Sequence, residues 1–277
     1  MNAVDRGEGR VDTLDEKRVC LITGGTSGIG LACAKAFAQA GWRVYTLARR
    51  EGRVPACAHI QADVTDESQC DGAVRKIVDE AGRLDLLVHC AGSGISGAAE
   101  FTPMEQAASQ MAVNTLGAAN MAKACLPAMR ESRHGRIIFI SSVAGVTPIP
   151  FQAWYSASKA ALNSYAMALG NEVRPFGVSV CVVMPGDTST GFTDARRKLT
   201  SGDDVYAGVI ERSVAKMEKD ERTGHPPEKV AALVLKVAGK KRVAPQYTVG
   251  VGYKTLVALA RILPPGICRY VLGKLYA

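Results

Sequence analysis

Thr23-Gly24-Gly25-Thr26-Ser27-Gly28-Ile29-Gly30 follows directly on the apolar run Val19–Ile22 and leads into an alanine-rich stretch of helical spacing. Glycines at such a junction let the backbone turn tightly and approach a pyrophosphate. The helix that follows offers free N–H groups and the positive end of its dipole. A glycine-rich turn alone is a weak signal, because it can be an ordinary loop. Set between a first strand and a first helix, it points to a dinucleotide. Gly24, Thr26, Ser27, Gly28, Ile29 and Gly30 are the residues that would hold it.

Outward from this stretch, short apolar runs alternate with longer helical patterns. Strands are predicted at Val19–Ile22, Val44–Leu47, Ala58–Gln61, Leu84–His89, Arg136–Ile140 and Val178–Val183, with helices at 29–40, 67–81, 104–131 and 153–173. This alternation implies an α/β fold, a Rossmann-type doubly wound parallel sheet covered on both faces. No repeat, low-complexity tract or Pro/Gly linker divides it. Residues 18–253 therefore read as one domain, preceded by a flexible polar tail at 1–17. Residues 187–225 are polar and lack a strand signal, and they read as a lid. A helix is predicted at 227–238 and a last strand at Gln246–Val249. The extension 254–277 reads as two short amphipathic helices joined at Pro264-Pro265, since its charges and prolines argue against a spanning helix.

With 277 residues, 47% of them hydrophobic and 22% charged, the chain has the composition of an ordinary globular domain with a sizeable core. Its eight cysteines are scattered through apolar runs without C-x-x-C or His pairing, so buried reduced thiols are expected rather than disulfides or a metal site. The first eighteen residues contain no apolar signal region, and a cytoplasmic setting is expected. The net charge of +8 is uneven: nine Lys/Arg and no Asp or Glu lie from Lys229 to the end. That excess suits a solvated surface or an anionic partner such as a membrane. Nucleic acid is not expected, because no aromatic-interleaved basic motif accompanies it.

The spacing T-G-x-x-x-G-x-G resembles that of the short-chain dehydrogenase/reductase family. Further matches are Ala91-Gly92 after the fourth strand, Val113-Asn114-Thr115-Leu116-Gly117, Ser142 thirteen residues before Tyr155, Tyr155-Ser156-Ala157-Ser158-Lys159, and Pro185-Gly186. A lysine four residues after a tyrosine shares its helix face. Tyrosine is a poor proton relay at its free pKa of about 10, so a neighbouring cation helps it. A second such pair, Tyr270 and Lys274, has none of the other elements around it. The resemblance covers about residues 18–190, and the rest more loosely. It implies that Tyr155 is the general acid in reduction and the base in oxidation. Lys159 would lower the Tyr155 pKa and bond the nicotinamide ribose, Ser142 would orient the substrate oxygen, and Asn114 would hold a water of the proton relay.

The resemblance also assigns cofactor contacts to Asp63 and Val64 (adenine), Cys90, Ala91 and Gly92 (close backbone approach), Pro185 and Gly186 (behind the nicotinamide), and Thr188 and Thr190 (carboxamide or phosphates). His89 stands where the family has Asn, which puts the usual hydrogen bonding at this strand end in question. NAD-selective members carry an acid at the tip of the second strand. Here Ala48-Arg49-Arg50 offers guanidinium groups suited to a 2′-phosphate, so NADP(H) is expected, with NAD(H) kept open by nearby Glu51. Substrate loops would be Ser93–Glu100, Val143–Trp154 and 187–225. The second is apolar and suits a lipophilic molecule. The extension resembles the ending of hydroxysteroid- and retinol-type members, which implies a secondary alcohol/ketone pair such as a hydroxysteroid. A 3-oxoacyl thioester or small-ketone reductase is the alternative. A non-catalytic dinucleotide sensor is a third reading, against which the intact Asn–Ser–Tyr–Lys set argues. Family analogy implies a homodimer or homotetramer through the helices of Asn114 and Tyr155. The extension itself could cover the pocket, meet a lipid surface, or pack as an edge helix pair.

Overall fold

Val19 and Leu21 point to one side of the first strand and Cys20 and Ile22 to the other, and all four are buried. A strand that buries both faces reads as a continuous apolar run, and it must be covered by helices on each side. The computed structural model describes residues 17–276 and meets that demand. The predicted tail lies outside the described residues except for Lys17.

The first half runs β1 (Val19–Thr23), α1 (Gly28–Gln39), β2 (Arg43–Ala48), β3 (Cys57–Gln61), α2 (Glu67–Ala81), β4 (Leu86–His89), the short β5 (Ile95–Ser96), α3 (Met104–Met111) and α4 (Gly117–Glu131). There follow β6 (Gly135–Ile140), α5 (Ala153–Val173), β7 (Val178–Met184), α6 (Phe192–Ala195), the two-residue β8 (Arg197–Lys198) and α7 (Val209–Arg222). The last elements are α8 (Pro227–Ala238), β9 (Gln246–Thr248), α9 (Val251–Ile262) and α10 (Pro265–Tyr276). Seven parallel strands make one sheet in the order β3-β2-β1-β4-β6-β7-β9. Helices α2, α4 and α5 bury one face and α1 and α8 the other. Along β7 the period of two is plain: Val178, Val180, Val182 and Met184 join the first layer, Cys181 and Val183 the second. Each fully buried aliphatic side chain of this kind contributes about 1.5–3 kcal/mol.

The predicted strands and most helices stand within two residues of their expected bounds. Two expectations are corrected. The helix predicted at 104–131 is interrupted by a π turn at Ala112–Leu116, which carries Asn114. Residues 187–225, where no strand was expected, contain the two-residue β8 together with α6 and the fourteen-residue α7. Ile210, Ser213, Val214 and Met217 form the buried face of α7 at helical spacing. Only two large apolar residues and a methionine mark that face among many charges, so the composition masks it.

Candidate active site

β1 is flanked by β2 on one side and β4 on the other, so the strand order reverses here and a crevice opens beyond their carboxyl ends. Gly24 and Gly28 have φ of +63° and +50°, conformations that suit glycine. A Cβ on Gly30 would lie 2.2 Å from the Gly24 carbonyl oxygen, which excludes any side chain. Ser27 is the extended N-cap of α1 and its side chain makes no cap bond, so the first-turn N–H groups are left uncapped. Ile29 packs half-buried on the α1 side of the sheet. This glycine cradle at an uncapped helix start fits a dinucleotide pyrophosphate.

His89 takes over the hydrogen bonding that its sequence position put in question. The Thr23 hydroxyl accepts the backbone N–H groups of Cys90 and Ala91, each at 3.1 Å, and lies 3.0 Å from His89 Nδ1. Its own hydrogen therefore goes to Nδ1, which places the ring hydrogen on Nε2. Burial, and then the nearby Lys159 charge, push the His89 pKa down to about 3, so the ring is neutral. Thr23 and His89 together hold the Cys90-Ala91-Gly92 turn against the glycine cradle. A Cβ on Gly24 would come within 3.0 Å of the Ala91 nitrogen.

At the tip of β2, Arg49 and Arg50 are exposed. Gln61 Nε2 donates to the Arg49 carbonyl at 2.9 Å, and His59 Nε2 to that of Arg50 at 3.1 Å. These β3 side chains, which no sequence motif marks, pin the tip by its backbone. Among the described residues neither guanidinium is paired with an acid. The Asp63 carboxylate is occupied within its own turn, accepting from the Thr65 N–H and hydroxyl. Val64 is buried against Gly117 and its carbonyl accepts from Asn120 Nδ2.

Asn114, Ser142, Tyr155 and Lys159 come together beyond β4 and β6. Asn114 is fully buried. Its Oδ1 accepts the Ser93 N–H at 2.8 Å, and its Nδ2 donates to the Ser93 carbonyl at 3.0 Å and to Ser158 Oγ at 2.9 Å. It thus ties the loop after β4 to α5. The two serines separate cleanly. Ser141 is buried and donates to the Lys159 carbonyl, whereas the Ser142 hydroxyl acts on the Tyr155 phenol, lowering its pKa, and accepts the Ala144 N–H.

Burial pushes the Tyr155 pKa up to about 12 against the opposing pull of Ser142. Lys159, 5% exposed, donates to the Ile140 carbonyl at 3.0 Å and is lowered by burial to about 8. The family resemblance implies that Lys159 lowers the phenol. In this geometry its ammonium lies 5.8 Å from the Tyr155 ring centre, and Ser142 and then the Arg196 charge are what lower the tyrosine. Gly92 makes room between them: a Cβ there would be 3.3 Å from Asn114 Oδ1 and 3.6 Å from Lys159 Nζ.

The turn after β7 is held from an unexpected quarter. Pro185 is buried and its carbonyl accepts the Val143 N–H. The α9 residue Tyr253 lies flat under Gly186, where a Cβ would meet its ring at 2.3 Å. The Tyr253 hydroxyl donates to Asp187 Oδ2 at 2.5 Å and accepts the Asp187 N–H at 3.1 Å. Thr188 bridges to His225, and Thr190 approaches Gly28 of the cradle. Tyr253 has no motif to mark it; only the fold brings it back across 66 residues.

The three expected substrate loops meet. β5 pairs with β8, and the Gly97 N–H donates to the Phe151 carbonyl. Ile149 and Phe151 pack with Phe101, Tyr206 and the α7 face in a separate apolar cluster. Phe192 of α6 tilts against the Tyr155 ring at 5.7 Å. Arg196 is buried and ion-paired to Glu221, and it leaves Nε and Nη1 without partners beside Phe192. Phe192, within the expected lid, therefore lies against the tyrosine itself.

Residues 18–200 match the family described as short chain dehydrogenase. The chain is 40% identical to a 3-ketodihydrosphingosine reductase of Bacteroides thetaiotaomicron over 266 residues, 95% of this chain and 99% of the relative. It is 32% identical over 241 residues to dehydrogenase/reductase SDR family member 7B of Xenopus laevis, covering 81% and 72% of the two chains. A crystal structure of a short-chain dehydrogenase from Streptomyces avermitilis superposes with a TM-score of 0.80 at 28% identity, covering 89% of this chain and 92% of that one. These relatives are named for a keto-sphingoid substrate or for the family alone, not for steroids or retinol.

Proposed function

This chain belongs to the short-chain dehydrogenase family and is an NAD(P)-dependent oxidoreductase, and we propose that it reduces the ketone of a long-chain lipophilic substrate with NADPH. The observation that carries the substrate class is the match to a 3-ketodihydrosphingosine reductase over nearly the whole of both chains. A keto-sphingoid base is lipophilic, as suits the apolar loop Val143–Trp154, and it takes the place of the hydroxysteroid as the favoured substrate. The exposed guanidinium pair at the β2 tip, unpaired with any acid among the described residues, supports NADPH over NADH.

When bound, the nicotinamide supplies a hydride to the carbonyl carbon. The chain's own residues handle the oxygen. Ser142 holds it in place, and Tyr155 gives it a proton from Oη. Lys159, kept charged below pH 8, stabilises the phenolate that remains, and Asn114 would hold a water of the relay that restores the proton. Lys159 would move from the Ile140 carbonyl to the ribose on cofactor binding.

The test is a panel of 3-keto sphingoid base, steroid, retinoid, acyl thioester and simple ketone, followed by NADPH and NADH absorbance. The keto-sphingoid base with NADPH is expected to give the highest kcat/KM, and a steroid or thioester in first place would displace this reading. Arg49→Asp should shift the NADPH/NADH preference by about ten- to a hundredfold towards NADH, the range of a charge-assisted contact. A wild type that already prefers NADH would refute the cofactor assignment.

A further inference from the structure

We propose that the hairpin of α9 and α10 is a docking surface for an anionic lipid bilayer. Packing settles its inner side. Val257 and Leu272 are buried, Cys268 Sγ meets the Ala260 carbonyl across the hairpin, and Tyr276 joins the cluster of the α7 face. Cys268, Leu272 and Tyr276 follow one another at four-residue spacing, so that row of α10 faces inward. The adjoining row, Ile267, Val271 and Leu275, is 48%, 45% and 50% exposed, and Ile262 on α9 is 80% exposed.

A helix pair that only closed the sheet would turn its aliphatic row towards the sheet. This one turns it out. Among the described residues eight of the thirteen exposed large hydrophobic side chains lie within 251–275, so they form a patch rather than the scatter of an ordinary surface.

Charge identifies the partner. Lys254, Arg261, Arg269 and Lys274 are exposed on the same two helices, and no acid follows Glu228. Arg269, Tyr270 and Lys274 line an open groove of about 510 Å³ on α10, floored by Gly266 and Gly273. The absent side chains leave a shelf beside two cations where headgroup phosphates can lie. A second copy docking through this face would set cations against cations, because a two-fold contact uses the same patch twice. An anionic bilayer reverses that sign.

Neither helix can cross a membrane: each has 12 residues, about 18 Å at helical rise, against a hydrocarbon core of about 30 Å. Among the described residues no helix is long and apolar enough to do so. An apolar row flanked by Lys and Arg instead lies in the plane of the interface. Through Tyr253 and Tyr276 the inner side of the hairpin touches the turn after β7 and the lid, so docking sets the substrate loops near the lipid.

The inference is independent of which ketone is reduced, and its test does not read activity. Full-length protein is floated with vesicles of phosphatidylcholine alone and of phosphatidylcholine with phosphatidylglycerol. It is expected to float with the mixed vesicles only, and less as salt rises. Ile262→Asp/Ile267→Asp and, separately, Arg269→Glu/Lys274→Glu should each lower binding by about tenfold or more, with unchanged thermal melts because the altered side chains are exposed. Flotation indifferent to lipid charge, or to both pairs of substitutions, would overturn the proposal. So would absence of vesicle binding, and a dimer that Ile262→Asp dissociates in sedimentation would then assign the face to a second copy.

Discussion

Tyr155 with Lys159 and Tyr270 with Lys274 are two copies of one local arrangement. In each the lysine follows the tyrosine by four residues on a helix, and the ammonium lies close to the ring centre, at 5.8 Å in the first pair and 6.0 Å in the second. Their surroundings differ in every respect. Lys159 is 5% exposed and bonded to the Ile140 carbonyl, while Tyr155 meets Ser142 and Phe192. Tyr270 is 67% exposed on the outer side of α10, and its lysine borders an open groove. Helix geometry alone therefore supplies proximity. Burial moves the first pair's proton affinities, the phenol up to about 12 and the ammonium down to about 8, and neighbours give those protons somewhere to go.

The sharpest way to break this contrast is to remove one hydroxyl from each pair. Tyr155→Phe should lower ketone reduction by about 10³-fold or more, in the upper range of general-acid contributions, while NADPH binding by fluorescence is retained. Tyr270→Phe should stay within about twofold of wild type. Similar losses in both would mean that burial is not what separates the pairs.

Removing the cations gives a smaller effect. Lys159→Ala should cost about 10²-fold in turnover, the scale of one charge-stabilising donor in an enclosed site, and should weaken NADPH binding as well. Lys274→Ala should leave both unchanged. A Lys159→Ala enzyme with normal kcat would detach the lysine from the phenol.

The smallest effect is on stability, and its sign follows from burial. Lys159 is lowered from 10.5 to about 8, so between those values the unfolded chain holds a proton that the folded one lacks. Stability therefore rises with pH across that window, and the cost of the buried charge is fully present below it. Tyr155, raised from 10.0 to about 12, acts in the opposite direction above pH 10. Lys159→Met removes only the first effect. The stability of wild type relative to this variant should increase by about 2 kcal/mol between pH 7 and 9.5, read from urea unfolding. A flat difference for Lys159→Met would contradict its burial as a charge.

Much of the molecule is legible in the order of its residues. The central strands can be read because they bury both faces and so keep an unbroken apolar run, as Cys20–Ile22 and Val180–Val183 do. The helix break at Pro264-Pro265 is equally plain. α7 is not, since its charged outer face outweighs the four positions that pack. The residues expected to act on the carbonyl are legible as motif and spacing. Those that steady them are not: His59 and Gln61 act on backbone carbonyls, and Tyr253 acts from another helix on Gly186 and Asp187.

By itself, the order of residues determined the local geometry: a glycine cradle between strand and helix, a tyrosine and lysine on one helix face, an acid-free basic tail. These depend on backbone sterics and helical period, which act over a few residues. Tertiary structure alone decided how deeply Lys159 is enclosed, that Tyr253 returns to the turn after β7, and that the aliphatic row of α10 faces outward. Enclosure and facing depend on what the rest of the chain brings alongside. Proton affinity and exposure follow from that surrounding matter, not from the residue or its near neighbours.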